Sequence, residues 1–129
     1  MSSIPTHLKY TAEHEWIEII SENRVRVGIT DFAQHALGDI VYVLTPKVGD
    51  HVRAGAVCGE VESTKSVSEI YSPVAGEISA INDAVISSPE SINSSPYGAG
   101  WLFEIDAVSQ ADMAALLDDQ AYAKLTAAD

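Results

Sequence analysis

The chain is poor in cysteine, in basic residues and in long apolar runs, and each shortage excludes something. Its 129 residues include one cysteine, Cys58, so neither an intramolecular disulfide nor an all-cysteine metal site can form. Seven Lys and Arg stand against nineteen Asp and Glu, a formal net charge of −12. Nucleic acid is a poor partner for such a surface, because phosphates are held by cations that neutralise them. Anionic membranes are disfavoured for the same reason, and no apolar run approaches the roughly 20 residues of a membrane helix. The charge suits a soluble monomer that meets several partners in turn. Residues Met1 to Tyr10 show neither the apolar core of a signal peptide nor the Arg-rich amphipathic stretch of a transit peptide, so the expected location is a bacterial cytoplasm.

Catalytic patterns are missing as well. His7, His14, His35 and His51 are scattered, without the spacing of a metal site. Cys58 stands mid-strand with no adjacent base, the setting of a buried, inert thiol. There is no G-x-S-x-G and no P-loop, and Gly98-x-Gly100 lacks a following Rossmann pattern. Acids such as Glu60 and Glu62 read as the wet face of a strand. The expectation is a protein that is not an enzyme.

What is present is a globular composition, 47% hydrophobic, at a length suited to one domain burying roughly two-thirds of its unfolded surface. Residues His14 to Ile20 and Arg24 to Ile29 predict a hairpin around Ser21-Glu22-Asn23; in the second, Val25, Val27 and Ile29 alternate with Arg24, Arg26 and Gly28. Thr30 or Asp31 caps a short helix that Gly38 stops, with Phe32 and Leu37 facing inward. The apolar run Ile40 to Leu44 predicts a buried strand. Val57, Gly59 and Val61 share one face of a strand, Cys58, Glu60 and Glu62 the other. Val67–Tyr71, Glu77–Ile81 and Trp101–Ile105 are further strands, and Asn82 to Gly100 reads as loop. Ser109 with Asp112 resembles a capping box opening a helix through Met113, Leu116 and Leu117, followed by a helical piece at Gln120 to Leu125. A faint echo of Gly49-Asp50-x-Val52 in Asn82-Asp83-x-Val85 suggests two similar half-sheets flanking the segment around Lys65. The expected unit is one mainly β domain, 1–129, with its core at about 9–107 and a helical segment at about 109–125. It has a short inserted helix near the front and a helix packed on the sheet at the end.

Lys65 is the residue whose setting asks for a function. It is one of four lysines, at 9, 47, 65 and 124, and it lies between two strands in Glu60-Val61-Glu62-Ser63-Thr64-Lys65-Ser66-Val67-Ser68-Glu69. Small polar neighbours favour a tight turn that directs its ammonium away from the domain. The result is a flexible side chain on a stiff mount, as a swinging prosthetic arm requires. Glu62 and Glu69 favour the ammonium form, whereas a Schiff-base lysine needs a desolvated or cationic neighbourhood. The residues alone do not say which group is attached, and an ordinary solvated turn lysine is the alternative.

The sequence resembles the H-protein family of the glycine cleavage system, from Lys9 to about Leu125. The resemblance rests on six blocks in order: His14-Glu15-Trp16; Gly28-Ile29-Thr30-Asp31-Phe32-Ala33-Gln34; Leu37-Gly38-Asp39-Ile40-Val41; Val61-Glu62-Ser63-x-Lys65; Ser72-Pro73-Val74-x-Gly76-Glu77-Ile78; and Asn93-Ser94-Ser95-Pro96-Tyr97-Gly98-x-Gly100-Trp101-Leu102. It implies a lipoyl/biotinyl-type barrel-sandwich hybrid with lipoate in amide linkage on Lys65 at a hairpin tip. It further implies a non-catalytic shuttle in glycine catabolism and one-carbon metabolism. The lipoyl arm accepts an aminomethyl group from the pyridoxal-phosphate glycine decarboxylase (P protein) and presents it to the aminomethyltransferase (T protein). Dihydrolipoamide dehydrogenase (L protein) then reoxidises it, and a lipoate ligase or lipoyl/octanoyl transferase installs it. The tether raises the effective concentration at each partner. In the family the loaded arm folds back on its own domain; by position, Glu15 and Glu69 are the candidate contacts, the alternative being that both are solvated surface acids. Trp16 and Trp101 are expected to pack. The chain departs from the family's usual Val-Lys-Ala by having Thr64, Lys65 and Ser66.

Competing readings remain at this point. Biotinyl carriers carry Met on both sides of the lysine, where Thr64 and Ser66 stand here. Lipoyl domains of 2-oxo-acid dehydrogenases usually belong to longer chains with Pro/Ala linkers. An H-like protein serving mainly as lipoyl donor or store would share every block, and an unmodified binding module would need all six to be coincidental.

Overall fold

The computed structural model describes residues 3–106 and 109–127. In chain order the elements are β1 (Lys9–Tyr10), β2 (Glu15–Ser21), β3 (Arg24–Ile29), α1 (Asp31–Leu37), β4 (Ile40–Leu44), β5 (His51–Val52), β6 (Val57–Ser63), β7 (Val67–Tyr71), β8 (Gly76–Ile81), α2 (Asp83–Ser87), α3 (Ser91–Ser94), β9 (Phe103–Asp106), α4 (Gln110–Ala114) and α5 (Asp119–Ala127). Six strands form one antiparallel sheet in the order β1-β2-β3-β9-β8-β5, and β4-β6-β7 form a second. The fold is the mainly β two-sheet class expected, although the sheets are unequal and the echoed segments differ: Val52 lies on a strand, Val85 on a helix. A duplicated half-sheet is therefore not what the echo marks.

The alternation in β3 does what its period requires. Val25, Val27 and Ile29 turn into the main core with Ile17, Ile78, Phe103 and Ile105. Arg24 and Arg26 turn the other way and face their register partners Asp106 and Glu104 on β9. Helix α1 is capped as predicted: Thr30 Oγ1 accepts the Ala33 N–H at 3.2 Å, and Gly38 ends the helix at φ 86°, a left-handed conformation suited to glycine. Its buried residue is Gln34, not Phe32 or Leu37, which are only half-buried. Gln34 donates to Asp31 at 2.7 Å and accepts from Asn93 at 2.9 Å, so its amide is satisfied inside.

Three further expectations fail for physical reasons. The run Ile40 to Leu44 is not a fully buried strand: Ile40 and Val43 point inward, but Val41, Tyr42 and Leu44 are about half exposed. An irregularity between Ile40 and Tyr42 shifts the register against β6, and a bulge of this kind turns consecutive residues outward. A second shift, between Val57 and Gly59, likewise breaks the predicted alternation. Val57 is exposed while half-buried Cys58 packs against the core. The segment from 82 to 100 is not all loop either. Asn82 caps α2 by accepting the Ala84 N–H at 3.1 Å and donates to the carbonyls of Ala99 and Trp101, which folds the segment back on itself.

The C-terminal pieces close a second, smaller core. Ser109 Oγ accepts the Asp112 N–H at 3.2 Å, one half of the capping box; the Asp112 carboxylate instead takes the Ala75 N–H at 2.9 Å. Leu117 exchanges two backbone hydrogen bonds of 2.8 Å with Tyr10. Tyr122 of α5 lies fully buried, stacked on Tyr10 with ring centroids 4.6 Å apart, beside Leu8 and Trp16. Burying rings of this size contributes a few kcal/mol each, enough to fix α5 on β1.

Candidate functional site

Lys65 is the middle residue of the three-residue connection, Thr64 to Ser66, between β6 and β7. Three-residue hairpin connections usually need one residue at positive φ, yet His14 is the one non-glycine residue with positive φ among those described. Ser63 resolves this. Its Oγ accepts both the Lys65 and the Ser66 N–H at 3.1 Å, and its own N–H donates to the Ser66 carbonyl at 2.8 Å. A side-chain oxygen thus takes the turn N–H groups that a backbone carbonyl would otherwise accept. The Thr64 N–H donates to the Asp39 carbonyl at 3.1 Å, tying the tip to the end of α1.

The Lys65 side chain is exposed but does not splay straight out. Its Cε lies 3.2 Å from where a Cβ on Gly38 would sit, so it rests along the glycine that ends α1. Among the described residues no ion pair joins it to Glu62 or Glu69. The acids are near in sequence without holding the amine.

Glu15 is the unusual group. It is 1% exposed, on the same face of β2 as the core residue Ile17. The Thr11 hydroxyl donates to Oε1 at 2.6 Å and the Tyr71 N–H donates to Oε2 at 3.1 Å. Among the described residues no cation pairs with it. Desolvation outweighs these two hydrogen bonds and pushes its carboxyl up to about 7, since burial penalises the charged form. The structure therefore rules out a solvated surface acid at this position. Glu69 is exposed and accepts from the Tyr71 hydroxyl at 3.3 Å; its charge raises that phenol above its ordinary range.

Tyr71 links the two acids, donating its N–H to one and its O–H to the other. Neither Tyr71 nor Thr11 stands out in the sequence, because Tyr71 and Glu15 are 56 positions apart. Helix α1 and strand β7 both span from Glu15 to Lys65: the Thr30 N–H binds the His14 carbonyl at 3.0 Å and Gly38 underlies Lys65, while β7 starts beside Lys65 and ends at Tyr71, whose N–H binds Glu15. Seven helical residues span about 10 Å at ~1.5 Å per residue. The five residues of β7 span about 13 Å at ~3.3 Å per step.

The other singled-out residues are structural. Trp16 is buried and donates its indole N–H to the Pro96 carbonyl at 2.9 Å; Trp101 lies under the Arg26 guanidinium, 4.5 Å from the ring centre. Burial and the nearby Glu15 charge push the Cys58 thiol up to about 12, so it stays protonated and unreactive at neutral pH. Among the described residues no three His, Cys, Asp or Glu side chains converge as metal ligands, and no helix is long and apolar enough to cross a membrane.

Comparison with known proteins agrees with this geometry. The family model described as glycine cleavage H-protein matches residues 8–129. A glycine cleavage system H protein from Micrococcus luteus is 58% identical over 127 residues, covering 98% of this chain and 99% of the relative. One from Mycobacterium bovis is 54% identical over 129 residues, covering 95% and 96%. The crystal structure of a glycine cleavage system H protein from Mycobacterium marinum superposes with a TM-score of 0.86 at 45% identity, covering 96% of this chain and 99% of that one. The chain belongs to the glycine cleavage H-protein family, a carrier component of that system rather than a catalyst.

Proposed function

We propose that Lys65 carries lipoate in amide linkage and that the whole chain, 1–129, acts as one carrier domain shuttling between the P, T and L proteins of glycine cleavage in a bacterial cytoplasm. The observation that carries this reading is an exposed lysine on a hairpin tip stapled by Ser63, in a member of this family. When bound, lipoate supplies a dithiolane that takes up and releases the aminomethyl group and cycles between disulfide and dithiol.

The residues fit such a group. The tip presents Lys65 Nζ to an attaching enzyme while Ser63 and Asp39 keep the backbone from yielding. Gly38 leaves room for the Cδ and Cε methylenes of Lys65 to lie against the end of α1. A lysine extended by lipoate has roughly a dozen single bonds of about 1.5 Å each, enough to reach from the tip to Glu15. There Thr11, Tyr71 and the buried carboxylate offer one negative charge and a dry surround to an ammonium, an attraction strengthened by exclusion of water. Glu69 and the Tyr71 hydroxyl line the same approach.

Intact-mass and peptide-mass analysis of the protein from cells supplied with lipoate tests the assignment. A gain of one lipoyl group confined to the Lys65 peptide is expected, with the protein one charge more negative. Adding P protein, glycine and pyridoxal phosphate then separates a glycine-cleavage carrier, which becomes loaded, from a protein serving mainly as lipoyl donor, which does not. A bare Lys65 beside a competent ligase would mean that Thr64 and Ser66 defeat recognition, and the carrier function would be withdrawn.

A further inference from the structure

His14 holds φ 70°, a left-handed backbone that costs any non-glycine residue free energy and persists only where its surroundings over-determine it. The surroundings here do. Its N–H donates to the Thr11 carbonyl at 3.1 Å and its carbonyl accepts the Thr30 N–H at 3.0 Å. Its ring stacks on Phe32 of α1, with centroids 4.6 Å apart, and meets the edge of Tyr122 of α5 at 5.6 Å. Nδ1 lies 2.8 Å from the Tyr122 hydroxyl, which is also 2.7 Å from Thr30 Oγ1, the cap of α1.

The strained residue comes directly before Glu15, and the turn it makes brings Thr11 back over Glu15. Thr11 N–H donates to the Glu15 carbonyl at 3.0 Å, and Glu15 N–H donates to Thr11 Oγ1 at 3.2 Å. The same hydroxyl donates to the Glu15 carboxylate. With an ordinary extended residue at 14 this closure would open, and the carboxylate would lose its hydroxyl partner and its cover.

We propose that His14 is a positioning residue. Its left-handed backbone, gripped by α1 through Phe32 and by α5 through Tyr122, folds Thr11 over Glu15 and fixes the carboxylate where an arm-borne cation meets it. This rests on the reading above that Glu15 faces the arm. It gives α5 a share in the site, although α5 contributes no residue to it.

The test separates backbone from ring. Glycine adopts φ 70° freely and asparagine tolerates it, whereas alanine is strained there and valine more so; none of the four keeps an imidazole. The Glu15 carboxyl is titrated by side-chain NMR in the full-length unmodified chain, where its burial predicts a wild-type midpoint raised to about 7. His14→Gly and His14→Asn should keep that midpoint. His14→Val should lower it by a unit or more, and if that variant does not fold, His14→Ala carries the same prediction with a smaller side chain. A folded His14→Val or His14→Ala with the wild-type midpoint, or a glycine variant that falls as far as alanine, would overturn the proposal.

On the lipoylated and loaded protein, His14→Ala should release the carried amine about tenfold faster, with glycine restoring release to within about twofold. If Glu15→Gln leaves release unchanged while the Glu15 midpoint still follows residue 14, the arm contact is what fails, and the functional half of the proposal falls with it.

Discussion

Two glutamates lie almost out of water in this protein, and the fold treats them oppositely. Glu104 is 7% exposed on the outer face of the six-stranded sheet. The Arg26 guanidinium gives it a hydrogen bond of 2.8 Å and an ion pair of 2.7 Å, and Arg26 is itself backed by Trp101. One step along the same ladder, Arg24 grips Asp106 through two nitrogens at 2.5 and 2.9 Å. Glu15 is more deeply buried and has a hydroxyl and an amide for partners but no cation. A chain with only seven basic residues spends two on the first site and none on the second. Glu104 is therefore a finished structural contact. Glu15 is a buried acid with no cation beside it among the described residues, an arrangement that costs stability and that the proposed arm contact would account for.

The contrast can be tested from its strong side first. Arg26→Met leaves Glu104 covered with only a long 3.9 Å ion pair to Arg24, and removing the close partner of a buried pair is strongly destabilising. Because Arg26 is about one-third exposed, we expect a loss of about 2–3 kcal/mol, seen as a melting midpoint lowered by roughly 6–12 °C. A loss below about 0.5 kcal/mol would put Glu104 with ordinary surface acids.

Glu15→Gln should act in the opposite direction. The folded carboxyl is raised from its ordinary 4.5 to about 7, so between those values the folded chain keeps a proton that the unfolded chain has given up. Stability from this group is present below about pH 4.5 and lost as pH rises through 7. The glutamine variant should be more stable than wild type by about 2 kcal/mol at pH 8, with the gain gone near pH 4.5. Denaturant titrations across that range measure it.

Smaller effects sharpen the picture at the hairpin. Ser63→Ala removes an acceptor shared by two N–H groups, at a cost of about 1 kcal/mol. The larger readout is slower attachment of lipoate to a looser tip, followed by mass under limiting ligase. Glu69→Gln, on an exposed acid, should change stability by less than about 0.5 kcal/mol. It should let the Tyr71 phenol fall back toward its ordinary range, visible in an ultraviolet pH titration.

What was legible in the sequence follows from how local each feature is. The β2–β3 hairpin, the Thr30 cap, the Gly38 stop and the Ser109 cap depend on neighbours a few positions apart, and all are where the residues place them. The outward turn of Val41, Tyr42 and Leu44 depends on a register shift against β6, which composition cannot carry. Helices α2 and α3, five and four residues long, are too short to show a helical period. Lys65 is legible as a turn lysine from its small polar neighbours, whereas the lipoate proposed for it follows only from the family blocks. Glu15 and Glu69 were likewise read by position. The partners that define Glu15, Thr11 and Tyr71, needed the fold, because a buried carboxylate looks like any other acid until its neighbours are known.

The central claim is that Glu15 is a charge site awaiting a cation brought by the arm on Lys65. Following the Glu15 carboxyl by NMR in the same protein, first unmodified and then lipoylated and loaded with its amine, tests this most directly. A midpoint near 7 that falls below about 5 on loading is the predicted result. A midpoint that stays where it was, with the arm shown by mass to be loaded, would contradict it.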